Sequence, residues 1–375
     1  MKKFLSLLLA LVMIFALVAC GNNSQPSGSN APAADPSASQ EPTGGEPSGE
    51  TDPFEGLPNV TLKMAATVNE NEIGGQIMAE FLRYVTENTN GKVTFETFYG
   101  GILASAMEEL QMVSTGAVDL IPLGHNPHAE NLPLLNGPSW VNGSEEDAVN
   151  YFNYLVFENE ETSALIQAEA AANNIIYLGF QPSGKNAFVS KVEATSFADL
   201  QGKQLGAMAN QQLFQSLGMV VVTTPPPDTY ESLSRGVIDL SRLSFTAAMN
   251  MKWYEVAKTW LLDGTSAAGS PFTMNLDTWN SLPAEYQEVF YAAAEHCVEY
   301  GLKLATESEA ENIAFLESQG CTVMELPAED QTLFYESLVT ITMQACRDRA
   351  ARLGITEQQE TVIAATLEYL GLTEN

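Results

Sequence analysis

Hydrophobic positions recur along this chain with two periods, and the periods alternate. Residues 60–66, Val-Thr-Leu-Lys-Met-Ala-Ala, read as a short strand ending in small residues. Across 75–88 the apolar residues Ile77, Met78, Phe81, Leu82 and Val85 fall at helical spacing. Val93, Phe95 and Thr97 alternate through 92–98 as a strand should. A helix over 106–114 stopped by Gly116, a strand over 118–123, a helix over 145–173 and a strand over 175–180 follow. This β-α-β-α-β order predicts a mostly parallel sheet covered on both faces. A second series starts afresh, with strands at 187–190, 202–208, 219–222 and 237–240 and helices at 211–217 and 228–234.

Two such series predict an α/β protein of two lobes, a clamp with a cleft between them and mixed, mostly parallel sheets. Ligands in such sheets lie beyond the carboxyl ends of the strands. Residues 284–319 contain no proline and only Gly301 as an interruption. At 1.5 Å per residue that segment would span roughly 50 Å, enough to reach across both lobes; two helices broken near Gly301 are the alternative. The expected boundaries are a leader at 1–19, a disordered tether at 20–58, lobe I at 59–182 and 271–311, and lobe II at 183–270 and 312–375.

The chain's beginning changes the picture. Lys2 and Lys3 precede an apolar run over 4–18 that has the length of a signal-peptide core and is short for a bilayer span. The run closes Leu17-Val18-Ala19-Cys20-Gly21, which resembles the bacterial lipoprotein cleavage box and implies lipidation of Cys20. An ordinary secretion signal with an incidental cysteine is the alternative. From Gly21 to Pro58 the chain is mostly Ser, Pro, Gly, Ala, Glu and Gln, with only Phe54 and Leu57 able to seek a core. Such a composition does not offset its ordering entropy, so it reads as a tether between an anchor and a folded body.

Charge and cysteine content exclude several classes. The 375 residues carry 47 acids against 16 Lys and Arg, a net charge of -31, which repels phosphate backbones and excludes nucleic acid as a partner. After Cys20 come Cys297, Cys321 and Cys346, none at metal-ligand spacing. Buried free thiols are the expectation, with a 297–346 disulfide as the alternative. No Gly-x-Ser-x-Gly elbow, His-Glu-x-x-His, Walker loop or dinucleotide fingerprint occurs, and three histidines leave little for general-base chemistry. An enzyme is not expected, nor any cofactor or metal.

Six segments then occur in one order: Gly91-Lys-Val-Thr-Phe-Glu; Gly101-x-Leu103 with Glu108, Val113 and Gly116-Ala-Val-Asp119; Phe197-Ala-Asp-Leu-Gln-Gly-Lys203; Asp228-x-Tyr230-x-x-Leu233-x-x-Gly236-Val-Ile-Asp239; Lys252-Trp-Tyr-Glu-Val-Ala-Lys258; and Trp279-x-x-Leu282-Pro283. Together they resemble the solute-binding subunits of tripartite ATP-independent periplasmic (TRAP) transporters, from about residue 60 onward. The resemblance implies a two-lobe, periplasmic-binding-protein-like clamp that serves as an extracytoplasmic receptor, lipid-anchored to the cell membrane, whose lobes close on a small molecule and deliver it to the membrane permease subunits. A ligand-sensing receptor for a membrane signalling partner is the alternative, and a secreted hydrolase a weaker one. Gly116, Asp119, Gly236 and Asp239 are read as structural, the glycines ending helices and the aspartates setting strand-loop geometry.

One departure stands out. Members that carry organic acids have an Arg in the strand after the glycine of the second lobe, its fork on the substrate carboxylate. In Gly202-Lys-Gln-Leu-Gly206 that position is Gly206, and an earlier family Arg falls near Lys185-Asn186. Arg242, read as lying at the carboxyl end of a strand, is the candidate replacement cation, and Lys185 a weaker one. Further cleft candidates are Asn69 and Glu70 after the first strand, His125 and Asn126 after the strand ending at Leu123, and Asn210, Phe214 and Trp253. For Phe214 and Trp253, core packing is the competing reading. His125-x-x-His128 lacks a third ligand and is a poor metal motif.

Overall fold

The computed structural model describes residues 53–373 apart from 104, 125, 138, 139 and 209. The proposed leader, Cys20 and most of the tether lie outside the described residues. Phe54 is not tether: it is buried and packs against Tyr286 with ring centroids 5.7 Å apart. The folded body is therefore under way before residue 59.

Among the described residues ten strands form one sheet: β1 (Val60–Ala65), β2 (Val93–Phe98), β3 (Leu120–Pro122), β4 (Trp140–Asn142), β5 (Ile175–Ser190), β6 (Gln204–Ala207), β7 (Val220–Thr223), β8 (Leu240–Ser244), β9 (Thr259–Asn275) and β10 (Thr322–Glu325). The order is β2-β1-β3-β9-β5-β8-β6-β7, with β4 and β10 also on β9. The outer strands of each half pair in parallel, β1 with β2 and β3, and β6 with β7 and β8. The long central strands β5 and β9 run antiparallel and belong to both halves. Where 175–180 and 187–190 are expected as separate strands, β5 is continuous, with irregular register between Tyr177 and Ala187 where Pro182 and Gly184 fall.

Both faces of the sheet are covered, as the alternating apolar residues require. In the first half Ile121 and Tyr177 face one core while Leu120 and Leu178 face another. In the second half Phe188 and Leu261 pack to one side, Val189 and Leu262 to the other. The helices that matter to the site are α1 (Ile73–Asn88), α2 (Glu109–Ser114), α3 (Glu145–Asn153), α4 (Glu160–Ala172), α5 (Pro226–Arg235), α6 (Phe245–Asn250), α7 (Ala284–Ser318), α8 (Ala328–Leu353) and α9 (Thr356–Leu370). The single helix expected over 145–173 is divided: a π-helical turn at Tyr154–Glu158 ends at Asn159, whose side chain accepts from the Thr162 amide and starts α4. By contrast α7 runs 35 residues straight through Gly301.

The family-like Gly-x-x-Asp pairs act identically in the two halves. Gly116 (φ 71°) and Gly236 (φ 73°) take the left-handed conformation that lets a helix end just before a strand. Asp119 then accepts from the Lys63 amide at 2.7 Å and Asp239 from the Gln204 amide at 2.9 Å. Each carboxylate ties its segment to the neighbouring parallel strand, at Lys63 within β1 and at Gln204, the first residue of β6. The chain's end returns to the first half: Tyr151 and Thr366 share a hydroxyl hydrogen bond of 3.0 Å, and Val362 and Ala365 pack in the core with Tyr151 and Phe152. Cys297, Cys321 and Cys346 are buried and free, so no 297–346 disulfide forms.

Candidate functional site

A cleft of about 220 Å³ opens where the two halves of the sheet meet. From the first half come Thr67, Val68, Glu72 and Ile73, beyond the carboxyl end of β1, and Pro122 at the end of β3. From the second come Ser244 at the end of β8 with Thr246, Ala247 and Asn250 of α6. The floor is made by the crossing strands, Gln181–Ser183 of β5 and Gly269–Ser270 of β9. This is where an open α/β sheet presents ligand groups, and the size suits a small molecule.

Buried polar contacts hold the walls. Glu109 of α2 is buried; its carboxylate accepts from the Thr67 hydroxyl at 2.9 Å and from the Gly124 amide at 3.1 Å. It thereby joins the segments that follow β1 and β3, and burial raises its pKa. Gly75 lets α1 start against the preceding loop, since a Cβ there would lie 2.0 Å from the Asn69 carbonyl oxygen. On the floor, Gln181 is only 4% exposed and its Oε1 has no hydrogen-bond partner. Its side chain crosses β9 at Gly269, where a Cβ would stand 2.9 Å from Gln181 Cγ. Among the described lining residues Glu72 is the only charged one, and its carboxylate accepts from the amide and side-chain nitrogens of Asn69.

The residues expected at the site divide into several groups. Asn69 shapes the cleft wall through Glu72 and does not line the cleft itself; Glu70, next to it, is exposed. His125 lies outside the described residues, and Asn126 begins the 3-10 turn Asn126–His128. His128 is buried with Nε2 unpartnered, and burial lowers its pKa. Asn210 adopts φ 54° at the start of the short helix Gln211–Ser216. Phe214 is buried in the core with Phe188, their rings edge to face at 6.0 Å, and Trp253 is buried beside Trp260 and Ala257. Both therefore fill the core of the second half instead of stacking in the cleft.

The cations are committed elsewhere. Arg242 sits within β8, opposite Phe188 of β5, instead of beyond a strand end, because β8 runs from Leu240 to Ser244 and not over 237–240. Its Nε donates to Asp263 Oδ2 at 2.7 Å and its Nη2 to Thr265 Oγ1 at 2.8 Å, away from the residues that line the cleft. At Gly206 a Cβ would stand 2.6 Å from Ile238 Cδ1 and 3.2 Å from Thr224. Asn186, where the family's earlier Arg falls nearby, is buried with its Nδ2 toward Thr265.

Lys185 pairs with Glu309 of α7 at 2.9 Å, close to Glu145 at the start of α3. Burial, reinforced by Glu309 and opposed by Lys185, raises the Glu145 carboxyl from 4.5 to about 7. The folded protein keeps this proton where the unfolded chain releases it, so stability falls as pH rises from about 4.5 to about 7. Glu145→Gln is expected to exceed the parent by about 1–3 kcal/mol above pH 7 and to match it near pH 4. Denaturant melts at both pH values check this, and an equal difference at both would contradict it.

Residues 64–347 match the family DctP, bacterial extracellular solute-binding protein, family 7. The chain belongs to this family. It is 26% identical over 280 residues to a solute-binding protein from Sulfitobacter sp. strain NAS-14.1, covering 72% of this chain and 83% of that protein. It is 24% identical over 321 residues to the C4-dicarboxylate-binding periplasmic protein of Rhodobacter capsulatus, covering 82% and 92%. Among solved structures, a TRAP periplasmic solute-binding protein from Sulfitobacter sp. NAS-14.1 with bound β-D-galacturonate superposes with a TM-score of 0.63 at 21% identity, covering 81% of this chain and all of that one. The family-7 chain described here is thus a bacterial extracellular solute-binding protein with the fold of the two-lobe TRAP-protein structures, and its relatives are binding proteins, not enzymes. The family is extracellular, and among the described residues no helix is long and apolar enough to cross a membrane.

The sequence alone missed Gln181, Glu109 and Ser270. Gln181 lies in Gln-Pro-Ser-Gly, which reads as loop; its burial arises only from β9 packed across it. The signal for Glu109 was an acid on the apolar side of a short helix, beside Leu110 and Val113.

Proposed function

We propose that this chain is a lipid-anchored receptor that captures one small molecule in the cleft between its lobes and delivers it to a TRAP-type permease. The observation that carries the reading is the cleft itself: both halves of the sheet supply a wall, and β5 and β9 join them beneath it. Strands that cross between lobes are where a hinge bends, and a ligand touching both walls favours the closed form. The proposed lobes are 59–182 with 271–311 and 183–270 with 312–375; the hydroxyl hydrogen bond between Tyr151 and Thr366 supports counting α9 with the first. Some relatives are named for acids, a C4-dicarboxylate and galacturonate, and small soluble nutrients of that size fit the reading.

Membrane attachment is proposed through Cys20, from the Leu-Val-Ala-Cys box. A single acyl chain anchors weakly and two hold firmly, so diacylation suits a receptor kept beside its permease. Cys20→Ala is expected to move the protein from the detergent phase to the aqueous phase; retention in the detergent phase would contradict the anchor. A thermal-shift screen tests the receptor reading, because a ligand that binds only the folded state raises the melting temperature by mass action.

A further inference from the structure

We propose that the cleft takes an uncharged, hydroxyl-bearing molecule of the neutral sugar or polyol class, and not a carboxylate. The inference rests on the receptor reading and names the ligand class of the same cleft. A buried carboxylate needs charge-assisted donors, or its desolvation goes uncompensated. None is supplied by the described lining residues. Gly206 has no side chain and so supplies no cation. The guanidinium of Arg242 is engaged by Asp263 and Thr265, and the ammonium of Lys185 by Glu309. Among the described lining residues the one charge is the carboxylate of Glu72, which would repel an anion.

What the cleft does offer is an acceptor in need of a donor. Gln181 lines the floor, and its buried Oε1 has no partner, a costly state that a turn of the side chain toward a ligand O–H would relieve. A carboxylate has no proton to give. Ser183, Ser244, Thr246 and Ser270 also line the cleft, and a hydroxyl can both donate and accept, which matches the reciprocal needs of ligand hydroxyls. Val68, Ile73 and Pro182 supply apolar surface for C–H faces.

The test is a thermal-shift panel of matched compounds on the purified protein: glucose, galactose and mannitol; glucuronate and galacturonate; glucosamine; and wider sets of neutral polyols, acids and amines. Stabilisation confined to neutral hydroxyl compounds is the expected result. Titration of the best neutral compound against Gln181→Met should then show binding at least about tenfold weaker, while the unliganded variant melts at the parent temperature or above it, because a buried acceptor without a partner has been removed. Stabilisation by acids or amines, without their neutral counterparts, overturns the ligand class and leaves the receptor reading intact. Unchanged affinity in Gln181→Met overturns the assignment of Gln181 to the ligand. No stabilisation by any member of the three sets counts against the receptor reading, and the ligand class falls with it. The panel itself needs no variant, so the proposal stays open to contradiction if Gln181→Met does not fold.

Discussion

Arg242→Ala is expected to destabilise the unliganded protein by about 3–5 kcal/mol, the cost of stranding a buried charge. Asp263, its partner, has no exposed side-chain surface. The pair is knit further: Thr265 donates to Asp263 Oδ1 from both its amide, at 3.0 Å, and its hydroxyl, at 2.6 Å. The same hydroxyl accepts from Arg242. The guanidinium also lies 4.9 Å from the Phe334 ring centroid, joining β8 and β9 to α8. Removing the cation leaves Asp263 with hydroxyl and amide donors and no countercharge. Replacing both members, Arg242→Met with Asp263→Asn, should recover most of the loss, since the penalty belongs to the unpaired charge more than to the absence of the bridge. Equilibrium denaturation of the three variants checks this. A loss below about 1 kcal/mol for Arg242→Ala, the scale of an exposed pair, would show that the bridge does not hold the lobe together.

Gly301→Ala is expected to destabilise by about 1–3 kcal/mol, the usual cost of overpacking, although a glycine-to-alanine change in an exposed helix normally gains about 0.5–1 kcal/mol. The sign is reversed by what faces Gly301. A Cβ there would stand 2.6 Å from Pro182 Cγ and 2.9 Å from Ile77 Cδ1. The long helix α7 can lie against β5 and α1 only because it has no side chain at that point. Pro182 also lines the cleft floor next to Gln181, so pushing it aside should weaken ligand binding as well as stability. Urea melts give the first quantity and titration of a stabilising compound the second. A gain in stability would mean that α7 shifts to accept the methyl group without cost.

Much of this architecture was legible as periodicity. The strands at 60–65 and 93–98, the helix between them and the unbroken helix through Gly301 follow from spacing alone. What escaped was set by tertiary contacts. The strand Thr259–Asn275 contains Ser266-Ala-Ala-Gly-Ser-Pro271, small residues that resemble a loop and become strand because β5 pairs along them. Arg242 looked available because its strand was placed three residues early, and the ion pair that occupies it depends on an aspartate 21 positions away. The glycine where an acid-binding Arg was expected was readable in the sequence; that Ile238 Cδ1 lies beside it was not.

The central claim is that the two lobes close on one ligand, and small-angle scattering on the purified protein tests it most directly. With a compound that stabilises the protein at saturation, the radius of gyration should fall while the scattering mass stays that of a single chain, as hinge closure over the cleft requires. An unchanged radius at saturation would contradict the clamp.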